Sequence, residues 1–379
     1  MKNTKVKEWE SWFNSFNSAK GLLYAPWYQA IKEWKDGKRL APLPPVEASL
    51  DPINVCNLNC SHCNASRYLL HPPKDRMIRM PDEHYLELVK FLGNWGVKAI
   101  CHGGGGEPTM HTALGEAMIT AQKYGMENSI ATNGINFDEE LIDIAVNTCR
   151  WVGVSVDSAT PKTYKIGRSA DRFSDTIGNI EKLCDAVDEF KTNCDIAYKF
   201  LVFEYNQNEI YEACKLAKEL GVKDFHARPA DLSHQGMDEQ YKGTAQPYSI
   251  DLVKEQFEKC HDLEDDNFHV YTIVHKFDEN FIPRKDFSQC YASPCCLQIC
   301  PDGSLFLCPD QRYKDFFKLG EHYPDVTEIK RVWGSRRHYD LVFNSGRKAC
   351  STRCTFNTYC KQAEELFMND NDPMCKNFI

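Results

Sequence analysis

Three cysteines near residue 60 have a spacing that suits iron–sulfur chemistry. Cys56, Cys60 and Cys63 lie within eight residues, directly after a predicted strand. A short loop with thiolates this closely spaced can wrap several irons. Three thiolates leave one iron of a 4Fe-4S cluster open to another ligand. Zinc is the alternative, although zinc sites normally add a second cysteine pair or a histidine pair.

A glycine-rich loop follows the next predicted strand. Residues 103–108 read Gly-Gly-Gly-Gly-Glu-Pro. Glycine permits close approach of the backbone to a ligand, and the Glu107 carboxylate can accept a hydrogen bond from an ammonium group. The ends of the third and fourth predicted strands carry further polar side chains, namely Thr132, Asn133, Ser155 and Asp157. Taken singly, each of these residues could equally be structural.

A second set of nine cysteines lies near the C-terminal end of the sequence. Its first group is Cys290, Cys295, Cys296, Cys300 and Cys308, and its second group is Cys350, Cys354, Cys360 and Cys375. A cysteine-rich segment with few periodic apolar runs is more readily stabilised by metal than by a large core. Iron–sulfur clusters and zinc both suit this pattern. The other six cysteines are scattered singly and are expected to act as small buried hydrophobes.

Composition narrows the class of protein. The 379 residues have a formal net charge of −9 and a pI near 5.8, which argues against a nucleic acid as the main partner. No run approaches the ~18 apolar residues of a membrane span, and the first 13 residues lack an apolar targeting segment. These features predict a folded cytoplasmic protein.

Strands and helices alternate over the first two thirds of the sequence. Six β-type segments are predicted at residues 47–54, 98–102, 129–132, 151–156, 195–203 and 224–227. Helical periodicity separates them at residues 82–95, 112–124, 138–147, 173–190 and 208–220. This alternation predicts an α/β fold, a partial (β/α)6 barrel whose chemistry lies at the carboxyl ends of the strands.

Four regions are predicted along the sequence. Residues 1–45 form a helical extension packed on the barrel, and residues 46–230 form the barrel. Residues 231–280 form a linker or bridging helix region, and residues 281–379 form the cysteine-rich module.

The motif CxxxCxxC after the first strand resembles the signature of the radical S-adenosylmethionine (SAM) superfamily, and the glycine-rich loop resembles its GGEP motif. The resemblance implies that the open iron binds the amino and carboxylate groups of SAM. One electron then releases methionine and a 5'-deoxyadenosyl radical. Arg168 falls where relatives place an arginine on the SAM carboxylate, and His62 falls where many carry an aromatic residue beside adenine. The implied cofactor-binding residues are His62, Gly104, Gly105, Gly106, Glu107, Thr132, Asn133, Ser155, Asp157 and Arg168.

The C-terminal cysteines resemble the SPASM extension of radical SAM enzymes, which holds two auxiliary 4Fe-4S clusters. The resemblance assigns Cys290, Cys296 and Cys308 to one cluster. It assigns Cys350, Cys354, Cys360 and Cys375 to the other. Relatives have one more cysteine where this sequence has Glu364. Cys295, Glu364 or an open iron could complete the first cluster, and Cys300 is preferred because a thiolate suits iron better than a carboxylate does.

Auxiliary clusters imply a net oxidation or dehydrogenation that begins with abstraction of a hydrogen atom. The substrate would be a small molecule or a peptide, and the electron donor a flavodoxin or ferredoxin. Asp310 is the candidate base, although similar enzymes place this aspartate one residue closer to the cysteine.

A ribosomal-peptide maturase is an alternative, but the 45 residues before the barrel are too few for a typical leader-binding domain. A non-catalytic iron–sulfur scaffold is the third reading, and it would not need the glycine-rich loop.

Overall fold

One ten-stranded sheet forms the centre of the molecule in the computed structural model, which describes residues 23–63, 65, 78–230, 247–350 and 353–365. The strand order is β10-β9-β8-β1-β2-β3-β4-β5-β6-β7, and the pairs from β8 through β1 to β7 are parallel. The strands are β1 (Glu47–Leu50), β2 (Ala99–His102), β3 (Glu127–Thr132), β4 (Cys149–Ser155), β5 (Asp195–Val202), β6 (Asp224–Pro229), β7 (His269–Thr272), β8 (Cys296–Ile299), β9 (Ser304–Phe306) and β10 (Lys318–Glu321).

Helices connect the parallel strands and cover the sheet. The helices before residue 270 are α1 (Ala25–Lys35), α2 (Asp82–Trp95), α3 (Leu114–Lys123), α4 (Glu139–Thr148), α5 (Pro161–Arg168), α6 (Phe173–Phe190), α7 (Ile210–Glu219) and α8 (Ile250–His261). Shorter helices follow in the C-terminal part, namely α9 (Glu328–Val332), α10 (Arg336–Asp340), α11 (Gly346–Ala349) and α12 (Asn357–Ala363). No helix in the described part of the chain combines the length and apolar composition needed to cross a bilayer.

The six predicted strands and five predicted helices are confirmed to within a few residues. Capping residues set several helix starts, as where the Asp138 side chain accepts a hydrogen bond from the Leu141 N–H at 2.8 Å. The sequence did not predict α5, which carries Arg168, or β7, whereas α8 lies in the region expected to be a linker or bridging helix.

The cysteine-rich segment shares the sheet of the barrel. Strand β8 pairs with β1 in parallel, so that Glu47 lies opposite Cys296 and Leu50 opposite Ile299. Leu50 and Ile299 are fully buried in one apolar cluster, which also contains Ile100 of β2. The apolar core is therefore continuous across residue 281, where the sequence predicts a boundary.

Helix α1, which the sequence predicted would pack on the barrel, shares apolar clusters with barrel residues and also packs against the C-terminal part of the chain. The Trp34 ring contacts the rings of His338, Tyr339 and Phe343 at centroid distances of 5.0, 5.4 and 5.1 Å. Tyr28 lies against Tyr359 of α12 in the same way. The aromatic residues that made this segment amphipathic therefore bury their apolar face on the cysteine-rich module.

Candidate active site

A cavity of about 590 Å³ opens at the carboxyl ends of the parallel strands. The three cysteines of the loop after β1 line it and are half-buried. All ten residues predicted to bind the cofactor line the same cavity, namely His62, Gly104, Gly105, Gly106, Glu107, Thr132, Asn133, Ser155, Asp157 and Arg168. The sheet thus brings together side chains that are more than one hundred residues apart in sequence.

The three thiols fit an iron–sulfur cluster by their chemistry. Burial, together with the charges of Glu107, Cys60 and Cys63, raises the pKa of Cys56 to about 11. The thiol therefore keeps its proton until a metal displaces it. No three of the described His, Cys, Asp or Glu side chains already converge on one point as they would around a single ion. A cluster distributes its thiolates over several irons, so it does not require that convergence.

The glycine-rich loop is bonded to the cysteine loop through the backbone. The Gly106 N–H donates to the Ile53 carbonyl at 2.8 Å, and the Glu107 N–H donates to the Val55 carbonyl at 2.9 Å. A Cβ atom on Gly106 would overlap the Val55 carbonyl and lie 2.7 Å from that of Ile53. Only glycine permits this approach, and it fixes the position of the chain just before Cys56.

Residues from the C-terminal module support the other side of the glycine-rich loop. The Tyr313 hydroxyl donates to Asn54 Oδ1 at 2.5 Å, and a Cβ atom on Gly105 would lie 2.6 Å from that hydroxyl. Arg312 Nε lies 3.6 Å from the buried Asp51 carboxylate at the end of β1. The cysteine-rich module therefore contributes directly to the geometry of the cavity.

The Glu107 carboxylate connects the glycine-rich loop to the end of β3. Its Oε1 accepts hydrogen bonds from Thr132 Oγ1 at 2.6 Å and from Thr109 Oγ1 at 2.8 Å, while Oε2 accepts from the Asn133 N–H at 2.8 Å. Burial nevertheless raises the pKa of Glu107 above its ordinary value. Oε2 retains a lone pair that could accept one further donor, such as an ammonium group.

Asp157, Arg168 and His62 form a buried cluster at the end of β4. Asp157 Oδ2 lies 2.5 Å from Arg168 Nη2 and 3.3 Å from His62 Nε2. Burial alone would raise the pKa of Asp157, but the Arg168 guanidinium and His62 lower it below its ordinary value. Arg168 Nη1 also donates to Cys60 Sγ at 3.5 Å. Arg168 is therefore anchored at the cavity wall beside the cysteine loop.

Arg168 and its neighbour Asp157 show two further features of a ligand site. Among the described residues, no hydrogen-bond acceptor meets the buried Arg168 Nε. Asp157 has a positive φ of 58°, a conformation that side-chain-bearing residues rarely adopt. The first feature leaves the guanidinium with donor capacity for a bound group, and the second marks local strain at a site residue.

Two aromatic residues beside His62 were missed by the sequence analysis. The His62 ring lies 4.5 Å from the Phe203 ring, and Phe203 stacks on Tyr205 at 5.4 Å. Both residues follow the carboxyl end of β5, which is the position that could have revealed them. Together they form an aromatic ledge on which a planar ring could stack.

The C-terminal cysteines gather around Cys290. The Cys360 thiol donates a hydrogen bond to Cys290 Sγ at 3.9 Å, and this bond lowers the pKa of Cys290. Burial and then the charges of Asp310, Cys290, Cys350 and Cys354 raise the pKa of Cys308 well above its ordinary value. Members of both predicted groups are thus close enough to influence one another. Cys375 lies outside the described residues.

The structure places Cys300 away from this group. Its Sγ lies 3.7 Å from Gln298 Nε2 and 4.0 Å from Asp51 Oδ2, and it packs with Phe306 and Tyr313 beside Cys63. Cys300 directly follows β8 and lies beside the cysteine loop. The expectation that Cys300 completes the first auxiliary cluster therefore lacks structural support.

The residue Glu364, which replaces the expected cysteine, also has other partners. One carboxylate oxygen of Glu364 accepts a hydrogen bond from the Ser288 N–H at 2.8 Å, and the other accepts from the Ser288 hydroxyl. Cys295 packs with Tyr28 and Val46 in a separate apolar cluster. Glu364 thereby anchors the chain two residues before Cys290, which is a structural role close to the cysteines.

Asp310 links the two cysteine groups and is absent from the described residues that line the cavity. Its carboxylate accepts hydrogen bonds from the Thr355 N–H at 2.8 Å and from Thr355 Oγ1 at 3.1 Å, and Arg353 Nη1 lies 3.7 Å away. These contacts fix the segment around Cys354, and the catalytic role of Asp310 stays a prediction.

Several basic residues that the sequence analysis did not select also line the cavity. They are Lys199, His226, Arg228, Lys276, Arg312 and Arg353. Lys199 extends across β4, where its Nζ lies 3.9 Å from the centre of the Trp151 ring. A Cβ atom on Gly153 would come close to Lys199 Cε, so Gly153 provides the space for this side chain. Burial lowers the pKa of Lys199 to about 7.

Gly106→Ala should damage the cavity because the added Cβ overlaps the Val55 carbonyl. Overpacking of this kind costs about 1–3 kcal/mol, so we expect the cysteine loop to shift and SAM affinity to fall about tenfold. The measurement is SAM binding to the anaerobically reconstituted protein. Gly178→Ala in α6 is the matched control, because nothing lies within 4 Å of the added atom. Equal SAM affinity in both variants would contradict the close-approach argument.

Lys199→Met should change how stability depends on pH. The unfolded chain holds the lysine proton up to a pKa near 10.5, whereas the folded chain loses it near 7. Because the unfolded state binds more protons in that interval, wild-type stability gains a contribution that rises with pH from about 7 to 10. The variant should therefore be more stable than wild type at pH 7 by a margin that narrows toward pH 10. Thermal midpoints measure this difference in stability. For the exposed control Lys90→Met, the difference from wild type should not change with pH. If the difference in thermal midpoint between Lys199→Met and wild type also stays the same at every pH, the lowered pKa of Lys199 is refuted.

The chain was compared with known families and proteins. Residues 50–199 match the family model described as the Radical SAM superfamily. The AdoMet-dependent heme synthase of Methanosarcina barkeri is 28% identical over 173 residues, which are 45% of this chain and 46% of that protein. The S-adenosylmethionine-dependent nucleotide dehydratase of Flammeovirga pacifica is 30% identical over 120 residues, which are 31% of this chain and 40% of that protein. The chain thus spans less than half the length of both relatives.

Solved structures share the fold at low sequence identity. Streptococcus suis SuiB bound to S-adenosylmethionine superposes with a TM-score of 0.61 and 15% identity, over 82% of this chain and 70% of that chain. SuiB bound to the precursor peptide SuiA superposes with a TM-score of 0.61 and 13% identity, over 91% of this chain and 78% of that chain. The residues that match the Radical SAM superfamily model include the cysteine loop, the glycine-rich loop and Arg168.

Proposed function

We propose that this protein is a radical SAM enzyme that cleaves SAM reductively and abstracts a hydrogen atom from its substrate. The observation that carries the proposal is the convergence of Cys56, Cys60 and Cys63 with all ten expected cofactor-binding residues on one cavity. Cys56, Cys60 and Cys63 would hold a 4Fe-4S cluster, which would supply the electron for cleavage of SAM to methionine and a 5'-deoxyadenosyl radical. The protein supplies position and exclusion of water.

Each part of the cavity has a proposed role toward SAM. The open lone pair on Glu107 Oε2 would accept from the SAM ammonium, and Arg168 Nε would donate toward the SAM carboxylate. His62, supported by Phe203, would stack against adenine. A planar guanidinium and a flat aromatic ledge are well suited to a carboxylate and a base.

We further propose that the C-terminal cysteines hold auxiliary iron–sulfur chemistry, as the resemblance to SPASM enzymes implies. The contact between Cys360 and Cys290 favours a shared cluster over the separate assignment of these two residues. Thiolates that surround one buried site suit iron–sulfur ligation. An auxiliary cluster would accept an electron from the substrate radical, which favours a net oxidation or dehydrogenation.

Two classes of substrate remain as alternatives within this proposal. The name of one curated relative describes a nucleotide dehydratase, which supports a small-molecule substrate. SuiB binds a precursor peptide, which supports a peptide maturase. A flavodoxin or ferredoxin donor and a cytoplasmic location stay as predictions from the sequence. A scaffold protein without catalysis would lack SAM cleavage altogether, so the first experiment below separates it from the enzyme.

The wild-type protein, reconstituted anaerobically with iron and sulfide, should release 5'-deoxyadenosine from SAM when a strong reductant is added, even without substrate. The Cys56/Cys60/Cys63→Ala variant should release none, because the ligands of the electron-donating cluster are gone. Chromatography of the nucleoside product measures both. Cys184→Ala is the control, since that buried thiol lies in α6 outside the cavity. Equal release from wild type and the triple variant would rule the proposal out.

Cys290→Ala and Cys360→Ala should each perturb the same auxiliary-cluster resonance, because their thiols contact one another. If the protein holds three clusters, iron should fall from about twelve to about eight per chain in either variant. Iron analysis and electron paramagnetic resonance measure this outcome. Cys300→Ala should leave the auxiliary signal intact. Loss of different resonances in the two variants would restore the separate assignment, and zinc in place of auxiliary iron would refute the iron–sulfur module.

A further inference from the structure

A buried ion pair beside the glycine-rich loop joins the C-terminal module to the end of β1. Arg312 Nε lies 3.6 Å from Asp51 Oδ2, and the two side chains are 11% and 0% exposed. Arg312 Nη2 also donates a hydrogen bond to Gln298 Oε1 at 3.1 Å. The guanidinium is therefore held from two sides, by the residue that follows β1 and by a residue of β8.

The guanidinium occupies space that the glycine-rich loop leaves open. Gly104 has a φ of 98°, and a Cβ atom at this residue would overlap Arg312 Nη1 and lie 2.6 Å from Asp51 Oδ1. A side chain at position 104 and the guanidinium could not both be accommodated. The glycine thus allows the charge of Arg312 to approach the loop that is expected to contact SAM.

The hydrogen bonding of this pair is incomplete for its depth in the fold. Arg312 Nε forms no hydrogen bond with any described residue, and its separation of 3.6 Å from Asp51 Oδ2 is longer than a hydrogen bond. Burying an ion pair with incomplete hydrogen bonds costs free energy that apolar side chains of similar volume would avoid. A purely structural link would therefore be more stable without these charges, which favours a role for the charge itself.

The charge of Arg312 acts on the cysteine loop. Burial raises the pKa of the Cys63 thiol, whereas the charges of Arg168 and Arg312 oppose that rise. Cys63 also packs in one apolar cluster with Tyr313, the residue next to Arg312. Because a guanidinium stays protonated in proteins, Arg312 places a permanent positive charge near the thiols.

We propose that Arg312 favours the reduced state of the iron–sulfur cluster expected at the cysteine loop. The inference rests on the proposed function, because it concerns the same cluster. Reduction by one electron from the donor adds one negative charge, and a fixed cation nearby stabilises that charge. Asp51 acts in the opposite direction, since its carboxylate offsets part of the guanidinium charge. A side chain of the C-terminal module thus contributes to the reduction potential at the SAM site.

A competing role for the pair is to hold β1 and the C-terminal module together and nothing more. The two roles differ in sign. Loss of either partner would loosen the same contact, whereas loss of Arg312 and loss of Asp51 change the local charge in opposite directions. Burial raises the pKa of Asp51 to about 6 against the opposing charge of Arg312, so the carboxylate is ionised at pH 8.

The test is a redox titration of the anaerobically reconstituted holoprotein at pH 8, followed by the electron paramagnetic resonance signal that changes when SAM is added. Arg312→Gln should shift the midpoint potential of that signal in the negative direction, and Asp51→Asn should shift it in the positive direction. Arg312→Lys should stay near the wild-type potential because it keeps the charge. Arg150→Gln, an exposed change near the amino end of β4, should have the wild-type potential.

The outcomes separate this inference from the proposed function. An unchanged potential in Arg312→Gln, or shifts of the same sign in Arg312→Gln and Asp51→Asn, overturns the inference in favour of the structural link, while wild-type SAM cleavage leaves the proposed function standing. A shift in Arg312→Lys as large as that in Arg312→Gln also overturns it. If Arg312→Gln fails to hold the cluster, Asp51→Asn decides, because only a positive shift supports the inference. Absence of a SAM-responsive signal in wild-type protein rejects the proposed function and the inference with it.

Discussion

The buried Glu107 carboxylate is the constraint on which the candidate site depends. A desolvated carboxylate is stable only when donors surround it, and here the donors come from its own loop and from the end of β3. The same residue donates its backbone N–H to Val55, next to Cys56. One side chain and its amide thereby tie together the cysteine loop, the glycine-rich loop and a neighbouring strand. The relative position of the three thiols and the proposed SAM contacts follows from this link.

The C-terminal module completes that arrangement instead of standing apart from it. Arg312 and Tyr313 reach the residues at the end of β1, and they approach Gly104 and Gly105 closely. The side of the cavity near Cys354 is also built by this module. Arg312 and Tyr313 therefore link the C-terminal module to the proposed SAM site.

Much of the barrel and its polar edge could be predicted because the relevant signals are local. The sequence shows a repeated pattern in which a strand is followed by a glycine or a short polar segment and then by a helix. Parallel strands place their carboxyl ends at one edge of the sheet. The pairing of β8 with β1 could not be predicted, since β8 is only four residues long and fully buried, so it shows no alternation. Asp310 and Cys300 were selected for their nearness in sequence to Cys308 and Cys296, whereas the structure also gives them contacts with Thr355 and Asp51, which are distant in sequence.

The β1–β8 pairing also constrains how the chain folds. Its partners, Glu47 and Cys296, lie about 250 residues apart, so a very long loop must close before their ladder can form. Until then β1 has hydrogen-bonding groups exposed along one side, beside an apolar cluster that lacks Leu297 and Ile299. An unpaired strand of this kind is a template for association with other chains. A chain that stops before β8 would therefore keep most of the cavity-lining strands yet be prone to aggregate. The last strands thus have two roles: they carry cysteines, and they cover the edge of β1 against association with other chains.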